Sequence, residues 1–90
     1  MLSNSTFLIT GGTGSFGNTL VSHLLKTDVP EIRIFSRDES KQHYMKQSIQ
    51  DERVRFFLGD VRNFDSLSHA VQGVDYVFHA AALKHVPAGE

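Results

Sequence analysis

The strongest chemical signal lies near the start of the chain, in Gly11-Gly12-Thr13-Gly14-Ser15-Phe16-Gly17. Two glycine spacings overlap there, Gly12-x-Gly14-x-x-Gly17 and Gly11-x-x-Gly14-x-x-Gly17. Glycine at such positions lets the backbone come close to a pyrophosphate, an approach that a side chain would block, and it supplies any positive φ that the turn requires. Where a helix opens at such a loop, its first N–H groups and its dipole face the anion. The final glycine lets that helix pack close to a strand. A glycine pattern alone marks no more than a turn, so its worth depends on the elements around it.

A second constellation stands about 20 residues further on, where a dinucleotide fold presents the group that reads the adenosine ribose. It runs Ser36-Arg37-Asp38-Glu39-Ser40-Lys41. A 2′-phosphate is a dianion suited to guanidinium, ammonium and small hydroxyl donors, which Ser36, Arg37 and Lys41 supply. Asp38 and Glu39 then serve the start of a second helix, where carboxylates are favoured. The alternative makes Asp38 a ligand of the ribose hydroxyl and the cofactor NAD. NADP(H) is the expected cofactor.

Apolar periodicity supplies the elements these residues need. Thr6 to Thr10 is a buried β-branched and aromatic run that ends at the glycines. From Ser15 to Lys26, Phe16, Leu20 and Leu24 recur every four residues with Val21 and Leu25 beside them, predicting a helix with one buried face that Asp28-Val29-Pro30 ends. Ile32 to Phe35 is a second strand. Asp38 to about Gln50 is a weakly amphipathic helix with Tyr44, Met45 and Ile49 as its apolar contacts. Val54 to Leu58 is a third strand, closed by Gly59-Asp60, with Phe56 and Phe57 on opposite faces. Phe64, Leu67, Ala70 and Val71 mark a short helix with Gly73 at a left-handed cap. Val74 to Ala80 is a fourth strand, ending near His79, which reads as a packed, hydrogen-bonded histidine. The alternation predicts an α/β, Rossmann-type doubly wound parallel sheet with strand order 3-2-1-4. Only the N-terminal half of such a sheet is expected here, with Tyr76-Val77-Phe78 on an open edge.

Composition narrows the class further. The chain has 90 residues, 40% hydrophobic and 21% charged, with a formal net charge of −1 and no cysteine. That balance leaves no electrostatic footprint for nucleic acid or an anionic membrane, and no apolar run is long enough to span a bilayer. A cytoplasmic protein is expected, and the sequon Asn4-Ser5-Thr6 is read as incidental. His23, His43, His69, His79 and His85 lie in five separate segments, so no metal site is expected.

With these residues in view, the chain resembles the extended short-chain dehydrogenase/reductases through Thr10 to Gly17. Three more segments narrow the resemblance: Ser36-Arg37-Asp38-Glu39 with Lys41-Gln42, Phe57-Leu58-Gly59-Asp60-Val61-Arg62, and His79-Ala80-Ala81-Ala82-Leu83-Lys84-His85-Val86-Pro87. Together they are similar to the inverting UDP-N-acetylglucosamine 4,6-dehydratases and their relatives in bacterial capsule, O-antigen and flagellin-sugar synthesis, over essentially the whole chain. The resemblance implies that Gly11, Thr13, Gly14, Ser15, Phe16 and Gly17 hold the cofactor diphosphate, and that Ser36 to Lys41 hold the adenosine ribose and its phosphate. It implies that Asp60 and Val61 meet the adenine edge and that Ala80 lies along the cofactor. Lys84 would reach the nicotinamide side and the bound sugar nucleotide. The residue reading alone makes Asp60 a turn cap and Lys84 a solvated loop lysine.

The implied reaction oxidises sugar C4, eliminates water across C5 and C6 and reduces C6, with inversion at C5 and the cofactor regenerated in each turnover. A UDP-sugar is the implied partner and a homo-oligomer the expected assembly, with no nucleic acid and no membrane. The superfamily's tyrosine with a lysine four residues later is missing, because Tyr44 and Tyr76 are followed by Ser48 and Ala80. The dehydratases' Asp-Lys pair is likewise not found after the fourth strand. Residues 1–90 are therefore expected to be the N-terminal part of a dinucleotide-binding domain, without turnover alone. A 4-epimerase and a non-catalytic NADP-binding module are the alternatives. A sheet with one bare edge and a small core also leaves open that the piece does not fold stably by itself, which a missing cooperative urea transition would reveal.

Overall fold

The computed structural model describes residues 4–11 and 13–79. Its elements alternate as β1 (Thr6–Thr10), α1 (Ser15–Leu25), β2 (Glu31–Ser36), α2 (Glu39–Ile49), β3 (Val54–Leu58), α3 (Phe64–Val71) and β4 (Tyr76–His79). All neighbouring strands are parallel and the sheet order is β3-β2-β1-β4, as the alternation predicted.

Side chains alternate across the strands and build a core on each face. Phe7, Ile9, Ile32, Ile34 and Val54 pack under Val21 and Leu24 of α1 and Met45 of α2. On the other face, Leu8 and Phe35 meet Ala70 of α3, with Phe57, Leu67, Val71 and Val74 around them. Phe56 and Phe57 do join opposite cores. The sheet is therefore covered on both sides at β1 and β2, as parallel sheets are, whereas Tyr76 and Val77 of the edge strand β4 stay 51% and 43% exposed.

Two helix faces differ from the expectation. Gly17, Val21 and Leu24 form the buried line of α1, whereas Phe16 is 42% exposed. The sheet contacts the i, i+4, i+7 row that starts at glycine, which rotates Phe16 off the core. In α2 the buried residues are Gln42 and Met45, while Tyr44 is 70% exposed. Helix α1 also ends before Asp28-Val29-Pro30. The Lys26 N–H donates to the His23 carbonyl, and the Thr27 hydroxyl donates to the Leu24 carbonyl at 2.6 Å. Strand β4 begins at Tyr76 rather than Val74, because Val74 still donates to the Val71 carbonyl in the turn after α3. The Asp75 carboxylate accepts the Thr6 N–H at 2.8 Å there. Gly73 has φ +77°, the left-handed conformation expected of it.

Two arginines tie helix ends to the sheet. Arg53 donates to the carbonyls of Leu25, Thr27 and Val29 at 2.8, 2.9 and 3.2 Å while paired with Asp51. Arg33, on β2, donates to the Ala70 and Gln72 carbonyls at the end of α3 and pairs with Glu31. Helix C-termini leave carbonyls without intrahelical partners, and these guanidinium groups satisfy them.

Candidate functional site

The carboxyl ends of the four strands open into one crevice of about 480 Å³. Thr10 and Gly11 from β1, Phe35 to Asp38 from β2, Gly59 to Arg62 after β3 and His79 from β4 line it, together with Thr13. In open α/β sheets, ligands bind outside the carboxyl ends of the strands where the strand order reverses, which here is between β1 and β4.

In the loop after β1, Gly11 has the geometry expected of it, and Gly12 lies outside the described residues. Gly11 has φ +68°, a conformation that favours glycine, and its N–H donates to the Phe35 carbonyl at 2.8 Å. That bond fixes the loop to the end of β2. Gly14 is the N-cap of α1 and Ser15, Phe16 and Gly17 form its first turn, with no side-chain cap and no acidic residue there. The other two helices are capped: Asp38 accepts from the Lys41 N–H, and Asn63 from the Ser66 N–H. The start of α1 thus leaves its N–H groups and positive dipole end for an anion.

Ser36 is buried at the end of β2, with its hydroxyl and carbonyl held by neighbouring elements. Gln42 Nε2 donates to Ser36 Oγ at 3.0 Å and to the Phe57 carbonyl at 2.8 Å, and the Gly59 N–H donates to the Ser36 carbonyl at 2.9 Å. Accepting from Gln42 leaves the Ser36 hydroxyl proton to be donated elsewhere. Arg37 and Asp38 follow on the crevice rim. Asp38 Oδ1 takes the Lys41 N–H at 3.0 Å, the capping role foreseen for it. Glu39, Ser40 and Lys41 form the first turn of α2 outside the crevice lining. Lys41 instead faces a groove with Thr13, Asn18, Tyr44, Met45 and Ser48.

Asp60 and Val61 line the crevice opposite Arg37. Asp60 also caps its own turn, accepting the Arg62 N–H at 2.9 Å. Its side chain takes Arg62 Nη2 at 2.8 Å and Arg37 Nη1 at 3.3 Å, both on Oδ2. Hydrogen bonds from the Arg62 side chain and backbone hold the Asp60 carboxyl well below its ordinary 3.8, with the charges of Arg62 and Arg37 adding to the effect. A depressed folded-state pKa stabilises the fold above the ordinary carboxylate value, and that contribution is lost as pH falls through the folded value. A carbon-13 titration of the Asp60 carboxyl is expected to show a midpoint clearly below 3.8. A midpoint at 3.8 would contradict the observed pairing.

Ala80 and Lys84 lie outside the described residues. Four residues that shape the site had no site role in the sequence: Phe35, and Thr10, Gln42 and Arg62, which stood only within the segments that carry the resemblance. His79 is hydrogen-bonded as expected, Nδ1 to Thr10 Oγ1 at 2.8 Å, but it is exposed at the crevice rather than packed. Among the described residues no cluster of His, Asp and Glu is arranged to hold a metal, and no helix is long and apolar enough to cross a membrane.

Comparison with known proteins gives consistent findings. The family described as "Polysaccharide biosynthesis protein" matches residues 7–90. A UDP-glucose 4-epimerase of Rickettsia bellii is 55% identical over the whole chain, which spans 28% of that relative's length. Among solved structures, Pen from Bacillus thuringiensis is 40% identical over 92% of this chain and 26% of its own, with a TM-score of 0.83. The Bordetella bronchiseptica enzyme WbmF, solved in complex with NAD⁺, shares the fold at 24% identity and a TM-score of 0.68, over 87% of this chain and 23% of its own.

Proposed function

The chain belongs to the polysaccharide biosynthesis protein family, and from that premise we propose that it forms the cofactor-binding part of an enzyme that oxidises C4 of a UDP-sugar with NADP(H). The observation that carries this reading is the uncapped start of α1, which follows directly on a loop whose Gly11 and Thr13 line the same crevice as Arg37. The residues fit a dinucleotide: Gly14 has no side chain to block the helix start, and among the described residues a Cβ built there meets only the Gly11 carbonyl at 3.8 Å. The space above it is open to a diphosphate.

Bound in this crevice, the cofactor would supply the redox chemistry of the family. The chain's own part is to bind and orient. The N–H groups of Ser15, Phe16 and Gly17 would receive the diphosphate, with Gly11 and Thr13 shaping the turn. The Ser36 hydroxyl and the Arg37 guanidinium would receive the 2′-phosphate, with Lys41 near. Asp60 and Val61 would meet the adenine edge, and Ala80 and Lys84 the cofactor's middle and the sugar nucleotide. NADP is preferred to NAD because Ser36 and Arg37 bring hydroxyl and guanidinium donors to the crevice, while one oxygen of Asp38 is engaged in capping α2.

Two courses share the C4 oxidation. The name carried by relatives such as the Rickettsia bellii protein favours 4-epimerisation. The resemblance of Leu83-Lys84-His85-Val86-Pro87 to the inverting dehydratases favours loss of water to a 4-keto-6-deoxy sugar. Incubating the full-length protein with UDP-N-acetylglucosamine or UDP-glucose and NADP⁺ separates them by product. A 4-epimer or a 4-keto-6-deoxy sugar supports C4 oxidation and selects the course, whereas unchanged substrate by mass and NMR argues against both.

A further inference from the structure

We propose that Arg62 is the second cation of the 2′-phosphate subsite and a determinant of the preference for NADP over NAD. The inference rests on the cofactor reading above and adds to it a residue with no role there. Arg62 follows Asp60-Val61 at the carboxyl end of β3 and lines the same crevice as Ser36 and Arg37. Its guanidinium forks onto Asp60, with Nε at 3.1 Å from Oδ1 and Nη2 at 2.8 Å from Oδ2. Arg37 touches the same Oδ2 through one nitrogen at 3.3 Å. Two guanidinium groups on one oxygen atom stand side by side.

Their charge does not balance. Asp60 alone faces both cations, so this three-residue cluster carries one excess positive charge. Asp38 further along the rim, its Oδ1 capping α2, brings the whole lining to formal neutrality. A phosphomonoester dianion offers three oxygens, enough to engage two guanidinium planes at once. The unequal contacts assign the parts. The short fork onto Asp60, reinforced by the bond from the Arg62 N–H, keeps Arg62 in place. Arg37, held by one longer contact and 69% exposed at its side chain, is free to turn onto the incoming phosphate. Asp60 is thus a positioning residue for Arg62 and a weak competitor for Arg37. An unphosphorylated ribose offers no anion to either arginine, so the pair discriminates between the cofactors.

The test is the affinity of the full-length protein for NADPH and for NADH, measured by calorimetry for the wild type, Arg62→Gln and Arg55→Gln. Arg55 is an exposed β3 arginine outside the crevice lining and controls for loss of general positive charge. Arg62→Gln is expected to weaken NADPH roughly tenfold, the low end for an exposed charge-assisted contact, and NADH by about twofold or less. Arg55→Gln should change neither by more than about twofold. Equal losses on the two cofactors in Arg62→Gln, no loss, or the same NADPH loss in Arg55→Gln would overturn the inference while leaving the cofactor reading intact. A wild type that binds neither cofactor, or both equally, would defeat the NADP reading itself and this inference with it. Because Arg62 is 77% exposed at its side chain, the NADH affinity and an unchanged melting curve suffice to show that the variant is folded.

Discussion

Gly14→Ala is expected to leave the fold intact and to weaken NADPH binding by roughly 5- to 150-fold, the effect of forcing a methyl group into a tightly packed contact that costs about 1–3 kcal/mol. Two properties of Gly14 separate the effects. Its φ of −81° is open to any residue, and among the described residues an added Cβ meets nothing nearer than the Gly11 carbonyl at 3.8 Å. The unliganded chain therefore has room for alanine. A bound diphosphate does not, if it packs against the first turn of α1. Gly11→Ala makes the contrast, since its φ of +68° strains any side chain by about 1–2 kcal/mol before any ligand arrives. Calorimetric titration beside a urea melt checks both. Unchanged NADPH affinity in Gly14→Ala would remove the diphosphate from the start of α1.

Phe35→Ala is expected to cost about 3–5 kcal/mol of folding stability, as for other fully buried aromatic truncations. Phe35 is 1% exposed and the largest of the fully buried side chains. Its ring lies under Gly59, where an added Cβ would stand 2.9 Å from Cζ, so Gly59 is a packing glycine rather than a turn. Its carbonyl takes the Gly11 N–H. One residue therefore supports the core beneath α3, the turn after β3 and the glycine loop after β1. A loss of several kcal/mol is a large part of the 5–15 kcal/mol that typically holds a domain. Urea unfolding that shows under about 1 kcal/mol of loss would mean that the ring is not packed as described.

Much of this arrangement could be read from local patterns. The glycine loop sits between a compact β-branched strand and an amphipathic helix, so its context was visible in fifteen or so consecutive residues. The winding of a parallel sheet then left a single natural strand order. What could not be read depends on partners far apart in the chain. Gln42 looks like one more polar residue on a polar helix until β2 and β3 bring Ser36 and the Phe57 carbonyl to it. Arg53 carries no signal in the sequence, yet it satisfies the last carbonyl of α1 and two carbonyls just beyond it. Phe16 follows the four-residue period but turns away from the sheet, because the contact row begins at Gly17. Arg62 carries no periodic signal, and only the turn at Asp60 shows which charges it stands beside.

Titration of the isotope-labelled full-length protein with NADPH, followed by backbone amide NMR, tests whether the crevice at the strand ends is a dinucleotide site. Saturable shifts are expected at Gly11, Gly14 to Gly17, Ser36 to Asp38 and Asp60 to Arg62. Shifts confined to the opposite end of the sheet around Lys46, Gln50 and Glu52, or none at all, would contradict that reading.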